Sequence, residues 1–302
     1  MVMPNKESLF DPTLVTDLIN KVKGKSSLAV LSKQEPVPFN GAKEFTFVLD
    51  SDVDVVAENG KKTEGGATVD PLKILPIKVE YGARFSDEFL IATDEEKIGI
   101  LQAFNDGFAK KLARGLDIMA FHGTNPRTKQ ASSVIGENHF DQKITQAVAF
   151  DKADPDRNVE SAVALIRANE NDITGMALDP TFSSALADMR TGTTTNQRLF
   201  PELAWGANPG AINGMSADIN STVTAGSKDV AVIGDFANMF KWGYAKQIPL
   251  EVIQYGDPDN SGHDLKGYGQ VYLRSEVYIG WGILDANSFA RITTDDGAEG
   301  NA

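Results

Sequence analysis

Cysteine is absent from all 302 residues. Disulfides, thiol nucleophiles and zinc–thiolate centres are therefore excluded, and the composition fits a reducing compartment. Long apolar runs are missing too: nothing approaches the ~18 consecutive apolar residues that a bilayer-spanning helix needs. Positive charge is scarce, with 29 Lys and Arg against 42 Asp and Glu and a formal net charge of −13. That balance argues against tight binding to a phosphate backbone and against docking on anionic membranes. It favours solubility and lets nucleic acid lie nearby without sticking. Histidine is sparse as well. His122, His139 and His263 stand far apart, without HExxH or other paired spacing, and read as loop or partly buried imidazoles. No GxSxG, Walker or dinucleotide fingerprint occurs, and Gly267-Tyr-Gly269 lacks a third glycine and opens no helix. The opening MVMPNKESLFDP has no basic start followed by an apolar block, so no secretory signal is expected, and the sequon at Asn220 carries little weight without one.

What is present points to a folded, space-spanning chain. Apolar residues make up 41%, enough for one large or two moderate domains. Residues 93–123 (TDEEKIGILQAFNDGFAKKLARGLDIMAFHG) read as one long helix. Thr93 and Glu96 form a capping box, and Gly123 is placed as the stop. Ile98, Leu101, Phe104, Phe108, Leu112, Leu116 and Met119 recur at steps of three and four, giving one apolar stripe over roughly 42 Å.

Two alternating stretches precede this rod. In residues 44–56, Phe45, Phe47, Leu49, Val53 and Val55 share one face and Thr46, Asp50, Asp52 and Asp54 the other, predicting a strand about twice the usual length. Residues 57–68 are rich in glycine and charge, with a turn signal at Asn59-Gly60. Residues 69–85 resume the alternation with Ile77, Val79, Tyr81, Ala83 and Phe85, while Pro71 and Pro76 mark an edge or irregular strand. The pair reads as a long hairpin. Upstream, residues 11–22 read as a short helix with Leu14, Val15, Leu18, Ile19 and Val22 on one face, ended by Gly24. Pro36 and Pro38 favour extended backbone.

The remainder alternates. Short strands are expected near 145–150, and helices over 159–169 and from Asp179-Pro180 to about Met189. Strands are expected at 175–178, 231–233, 250–255, 271–274, 277–283 and 289–293. The tail DDGAEGNA reads as loose. Asp257-x-Asp259-x-Ser261-Gly262 matches half a calcium loop, but Tyr268 stands where the bidentate Glu is required, so it reads as an Asp/Gly turn. Asp50-x-Asp52-x-Asp54 lacks the glycine and reads as a solvated strand face. Lys61 and Lys62 read as a solvated tip, and Trp205, Trp242 and Trp281 as core or interface anchors. No active-site constellation stands out.

The order of pieces resembles the major capsid proteins of tailed bacteriophages, the Hong Kong 97-type fold. SLFDPTLVTDLINKVKGKSSLAVLS at 8–32 is similar to the N-terminal arm of such proteins, and LARGLDIMAFHGTN at 112–125 to the end of their spine helix. MALDPTFSSALADMRTG at 176–192 and PGAINGM at 209–215 resemble the segments flanking their axial loop. VIGDFANMFKWGYAKQIPLEVI and VYLRSEVYIGWGILDANSFARI resemble their closing segments.

The resemblance implies an α+β, L-shaped subunit. Its parts would be an arm (1–40), an extended hairpin (41–87), a peripheral domain (88–150 and 244–284) with spine helix 94–122, an axial domain (151–243 and 285–294) and a loose tail (295–302). It implies a structural protein, not an enzyme, without cofactor or metal. Pentamers and hexamers would form an icosahedral virion shell, assembled in the bacterial host cytoplasm around double-stranded DNA held without tight specific contacts. A portal, a possible decoration protein and a separate scaffolding protein are the implied partners, unless the chain is a mature product. The implied contact residues are Phe45, Phe47, Leu49, Lys61, Lys62, Ile77, Val79 and Phe85 on the hairpin and Leu14, Leu18 and Val22 on the arm. Thr193, Arg198, Phe200 and Trp205 fall on the axial loop. Some relatives crosslink a hairpin lysine to a neighbour's Asn, for which Lys61, Lys62 or Lys73 are available here. The alternatives are an encapsulin-type compartment, another virion part such as a decoration or tube protein, and a cytosolic α/β enzyme.

Overall fold

The computed structural model describes residues 26–49, 51–62, 64–90, 94–192 and 196–294. Leu14, Leu18, Val22, Thr93, Thr193 and the tail 295–302 lie outside the described residues, as do the expected helix at 11–22 and the capping box. The chain begins with a short helix, α1 (Ser27–Leu31), then a hairpin of β1 (Ala42–Leu49) and β2 (Ala67–Ile74), then β3 (Ile77–Ser86). The long helix α2 (Asp94–His122) follows, 29 residues and about 44 Å long. Its stripe does what the spacing demands. Leu101, Phe108, Leu112, Leu116 and Met119 are buried, and Ala109, Ala113 and Ala120 widen the contact. Ile98 departs from the expectation at 54% exposed, whereas Leu101, one turn on, is buried beside Phe85. Gly123 ends the helix at φ +63, its N–H donating to the Met119 carbonyl at 3.0 Å.

After α2 come α3 (Phe140–Lys143), β4 (Ala147–Ala149), α4 (Pro155–Arg167), β5 (Gly175–Leu178) and α5 (Pro180–Asp188). Asp179 caps α5 by accepting from Thr181 N, with Pro180 at the first helical position. The two-residue strands β6 (Arg190–Thr191), β7 (Gln197–Arg198) and β8 (Ala211–Ile212) and the longer β9 (Met215–Ile219) and β10 (Asp229–Gly234) follow. Last are α6 (Phe236–Met239), β11 (Phe240–Ile253), β12 (Gln270–Ile283) and β13 (Phe289–Thr293).

Two sheets organise these elements. A six-stranded mixed sheet runs β4-β13-β10-β5-β9-β8, and a three-stranded antiparallel sheet runs β11-β12-β3. Every residue of β5 and β10 is buried, which fits central strands covered on both faces. Alternate residues face opposite cores. Val232 and Phe289 join the core formed by α1, α2 and the three-stranded sheet. Ala231, Ile233, Ala290 and Ile292 join the core under α4 and α5. Trp242 and Trp281 are buried in the first core, as anchors should be.

The hairpin differs from its expected form in two ways. β1 stops at Leu49 rather than running to 56, since the aspartates at alternate positions beyond it disfavour strand pairing. The stretch 69–85 is not one strand. It breaks after Ile74, and β3 joins a different sheet by pairing with β12 from Ile77↔Ile279 to Ser86↔Gln270. Ile77 and Val79 therefore pack against the subunit's own core, and Phe85 packs beside Leu101, Val271 and Leu273. As hairpin residues these three are corrected: the hairpin proper ends at 74, not 87. Strand β11 begins at Phe240, ten residues before the expected start, and 271–274 and 277–283 form one strand, β12.

Part of the expected arm also folds inward. Leu28, Ala29, Leu31 and Val37 are buried, and Glu35 N donates to Trp242 O at 2.8 Å, with Val37 N to Tyr244 O at 3.3 Å. Lys241 reaches both Glu35 (3.2 Å) and Glu44 (3.4 Å), tying this segment to the base of the hairpin. The close approach depends on Gly243, where a Cβ would stand 1.6 Å from the Glu35 carbonyl oxygen. Gly243→Ala is expected to displace residues 34–37 and lower stability by about 2–4 kcal/mol, through two lost hydrogen bonds and disturbed packing. An unchanged urea midpoint would refute this.

Candidate assembly surfaces and the polar centre behind them

Asp117 sits in the middle of the apolar face of α2 with no solvent exposure. Five donors converge on its carboxylate. Ser26 Oγ is in direct contact, Ser27 N lies at 3.0 Å, Leu28 N at 3.3 Å, Thr222 Oγ1 at 2.7 Å and Asn220 Nδ2 at 3.4 Å. Two of these donors are first-turn amides of α1, so the carboxylate meets a helix N-terminus. Burial pushes the Asp117 pKa up to about 6, against the pull of the donors. One acid thus fixes the inner arm and the loop at 220–222 to the long helix. The sequence signal was a carboxylate inside an apolar stripe, whose role the pattern of hydrophobic residues alone does not give.

One turn further on, His122 joins a second polar cluster. Its Nδ1 lies 2.9 Å from Asp141 and its Nε2 lies 3.0 Å from the Thr222 carbonyl. Arg291 approaches Asp141 at 3.7 Å and Asp229 at 3.3 Å, and its Nε donates to the Ile144 carbonyl at 3.1 Å. Burial and the neighbouring Asp141 hold Asp229 above the usual carboxylate range, while Arg291 opposes them. A cleft of about 440 Å³ opens beside His122, lined by Arg114, Ile118, Asn125, Lys129 and Asp141 among others. His139 packs its ring over Gly123, where a Cβ would meet it at 2.3 Å.

The half calcium loop closes on a side chain. Arg84 from β3 places its guanidinium against Asp257 (2.7 Å), Asp259 (2.5 Å), Ser261 (2.5 Å) and the His263 carbonyl (2.9 Å). It occupies the position a cation would take, and holds the Asp259 carboxyl well below its ordinary range. Among the described residues no group of His, Asp and Glu is arranged to hold a metal ion.

The surfaces left for contact lie elsewhere. Residues 51–62 of the hairpin tip are exposed, including Lys61 and Lys62, and Val53 and Val55 are 94% and 95% exposed. Phe45, Phe47 and Leu49 lie on β1, opposite Pro71, Val69 and Ala67 in a two-stranded sheet. The expected axial-loop residues divide. Arg198 turns inward and donates to the Ala187 carbonyl at 2.6 Å, and Phe200 is buried. Trp205 is 98% exposed and held at φ +58. Its indole is thus almost wholly in water, on left-handed backbone that L-residues seldom adopt.

A long helix packed with two sheets around a shared core makes a mixed α+β fold, and solved structures of phage capsids share it. A chain from Mycobacterium phage Ogopogo is 33% identical with a TM-score of 0.74, over 89% of this chain and 92% of that one. A chain from Gordonia phage Cozz is 25% identical with a TM-score of 0.72, over 90% and 87%. The capsid of a native GTA particle shares the fold, at 14% identity and a TM-score of 0.62 over 98% and 96%. No curated protein sequence matches. The model of the phage capsid family matches residues 8–294, and the chain belongs to that family. It is a major capsid protein, a structural component of the virion that forms an icosahedral shell, and neither the compartment nor the enzyme alternative is favoured. Among the described residues no helix is long and apolar enough to cross a membrane.

Proposed function

We propose that five or six copies surround each capsomer axis and that the shell encloses double-stranded DNA. The long helix with the three-stranded sheet serves as the peripheral domain, and the six-stranded sheet as the axial domain. Trp205 faces its counterparts near the axis. The hairpin reaches over a neighbouring copy, and the residues before 26 clasp another. A separate scaffolding protein, a portal and a decoration protein are the further partners, with assembly in the host cytoplasm. The hairpin with its exposed tip carries this reading: a two-stranded sheet is marginal alone, and the apolar positions of its sequence need a partner surface. The net charge of −13 supports an interior that holds DNA without binding it tightly.

Negative-stain imaging of the chain co-expressed with its neighbouring phage genes tests the proposal. Closed particles with fivefold and sixfold capsomers are expected. Open sheets, tubes or a monodisperse monomer would overturn it.

A further inference from the structure

His122 has an acceptor at each ring nitrogen: the Asp141 carboxylate at Nδ1 and the Thr222 carbonyl at Nε2. A neutral imidazole carries one N–H and one lone pair. Either neutral tautomer would aim its lone pair at a carbonyl or ionised carboxylate oxygen, neither of which donates, and contacts of 2.9 and 3.0 Å leave no room for a water between them. Only the imidazolium satisfies both contacts. Thr222 is also held by its hydroxyl, which donates to Asp117. The loop leading into β10 is thus pinned to α2 at two points, one of which needs a proton on His122 Nε2; when the ring loses one proton, the Asp141 carboxylate, the stronger acceptor, keeps the other on Nδ1 and the Thr222 tie is lost.

Charged groups surround the ring, with Arg114 of α2 and Lys129 of the following loop lining the same cleft. Asp141 comes from α3, Asp229 from β10, Arg291 from β13 and His139 from the preceding loop. Losing the His122 proton would leave Asp141 and Asp229 to repel each other, with Arg291 as the cation paired to both.

We propose that His122 is a proton-operated latch: its charged ring ties the 220–229 loop, and with it the six-stranded sheet, to the end of the long helix, and deprotonation frees the loop. Burial lowers the ring's pKa, but the hydrogen bond and charge of Asp141 outweigh it, so the net direction is upward. A raised histidine value gives stability that is complete below the unfolded value of ~6.5 and lost as pH rises through the folded value. Release therefore comes with rising pH, as the folded ring loses its proton.

The test uses the soluble subunit and does not depend on shell formation. In ¹⁵N-histidine spectra, His122 should carry protons on both nitrogens at pH 7, identified by its loss in His122→Gln. Amide exchange of peptides covering 220–229, corrected for the intrinsic pH dependence, should quicken by roughly tenfold or more across the His122 titration, as expected for loss of one charge-assisted bond. Thr222→Val removes only the hydroxyl tie and should keep that step, whereas His122→Gln should abolish it. A singly protonated ring at pH 7, or wild-type exchange with no step between pH 6 and 10, would overturn the latch even if His122→Gln fails to fold. So would a step that survives in a folded His122→Gln.

Discussion

Asp117→Ala is expected to lower the stability of the isolated subunit by roughly 3–5 kcal/mol and its Tm by about 5–15 °C. The substitution leaves five donors facing an apolar hole, two of them backbone amides that cannot turn away. It also releases α1, so the burial of Leu28 and Leu31 weakens with it. Asp117→Asn tests charge and shape separately. One amide oxygen remains to accept, but an NH₂ now confronts donors, and an intermediate loss is expected. The pH dependence has a definite sign. A carboxyl raised to about 6 binds its proton more readily in the folded chain than in the unfolded one. Its linkage contribution is therefore most favourable below the ordinary carboxylate value of ~3.9 and declines as pH rises towards 6. Asp117→Asn should remove that decline. An unfolding free energy for Asp117→Ala within about 1 kcal/mol of wild type, from denaturant titration, would show that the donors find other partners.

The elements legible in the sequence were those whose signal is local. The 3.6-residue stripe with Gly123 as its stop gave α2, and Asp179-Pro180 gave the start of α5. The short run Phe289–Thr293 was expected as a closing strand and forms β13. What escaped depends on long-range geometry. The buried side of the chain changes phase between Ile74 and Ile77, which together with Pro76 marks the end of one strand and the start of another. Alternation alone cannot say that the second strand pairs with β12, nearly two hundred residues away. The aromatic residues Phe240, Trp242 and Tyr244 do alternate, but Gly243 among them reads as a strand breaker until the Glu35 backbone is seen lying against it. Arg198 and Phe200 were not legible as internal residues, because nothing in a Gly- and Thr-rich stretch tells which polar side chain finds a carbonyl within its own subunit.

Phe45→Asp or Phe47→Asp is expected to abolish particles while leaving a folded subunit. Both residues lie on β1, whose partner within the chain is β2 alone, at Pro71 and Val69. The base of this ribbon is docked: Ile74 is buried against Gly282, where a Cβ would meet it at 2.7 Å, and Glu44 pairs with Lys241. Beyond the base the ribbon leads to a tip that is exposed throughout residues 51–62. The core clusters, as far as the described residues show them, draw on α1, α2, β3 and the elements that follow, and the expectation is that a carboxylate on β1 leaves them intact. The change in subunit Tm should stay within a few degrees, as for substitutions away from a core. Assembly is affected differently. A shell repeats each contact at every copy, and burying an unpaired carboxylate in an apolar interface costs several kcal/mol per contact. A loss of that size at each contact shifts the equilibrium from closed particles to free subunits. Glu44→Gln, at the docked base and still polar, serves as the control that should assemble. Particles of normal yield from both Asp variants, counted by electron microscopy, would mean that the apolar positions of β1 do not meet a neighbouring copy.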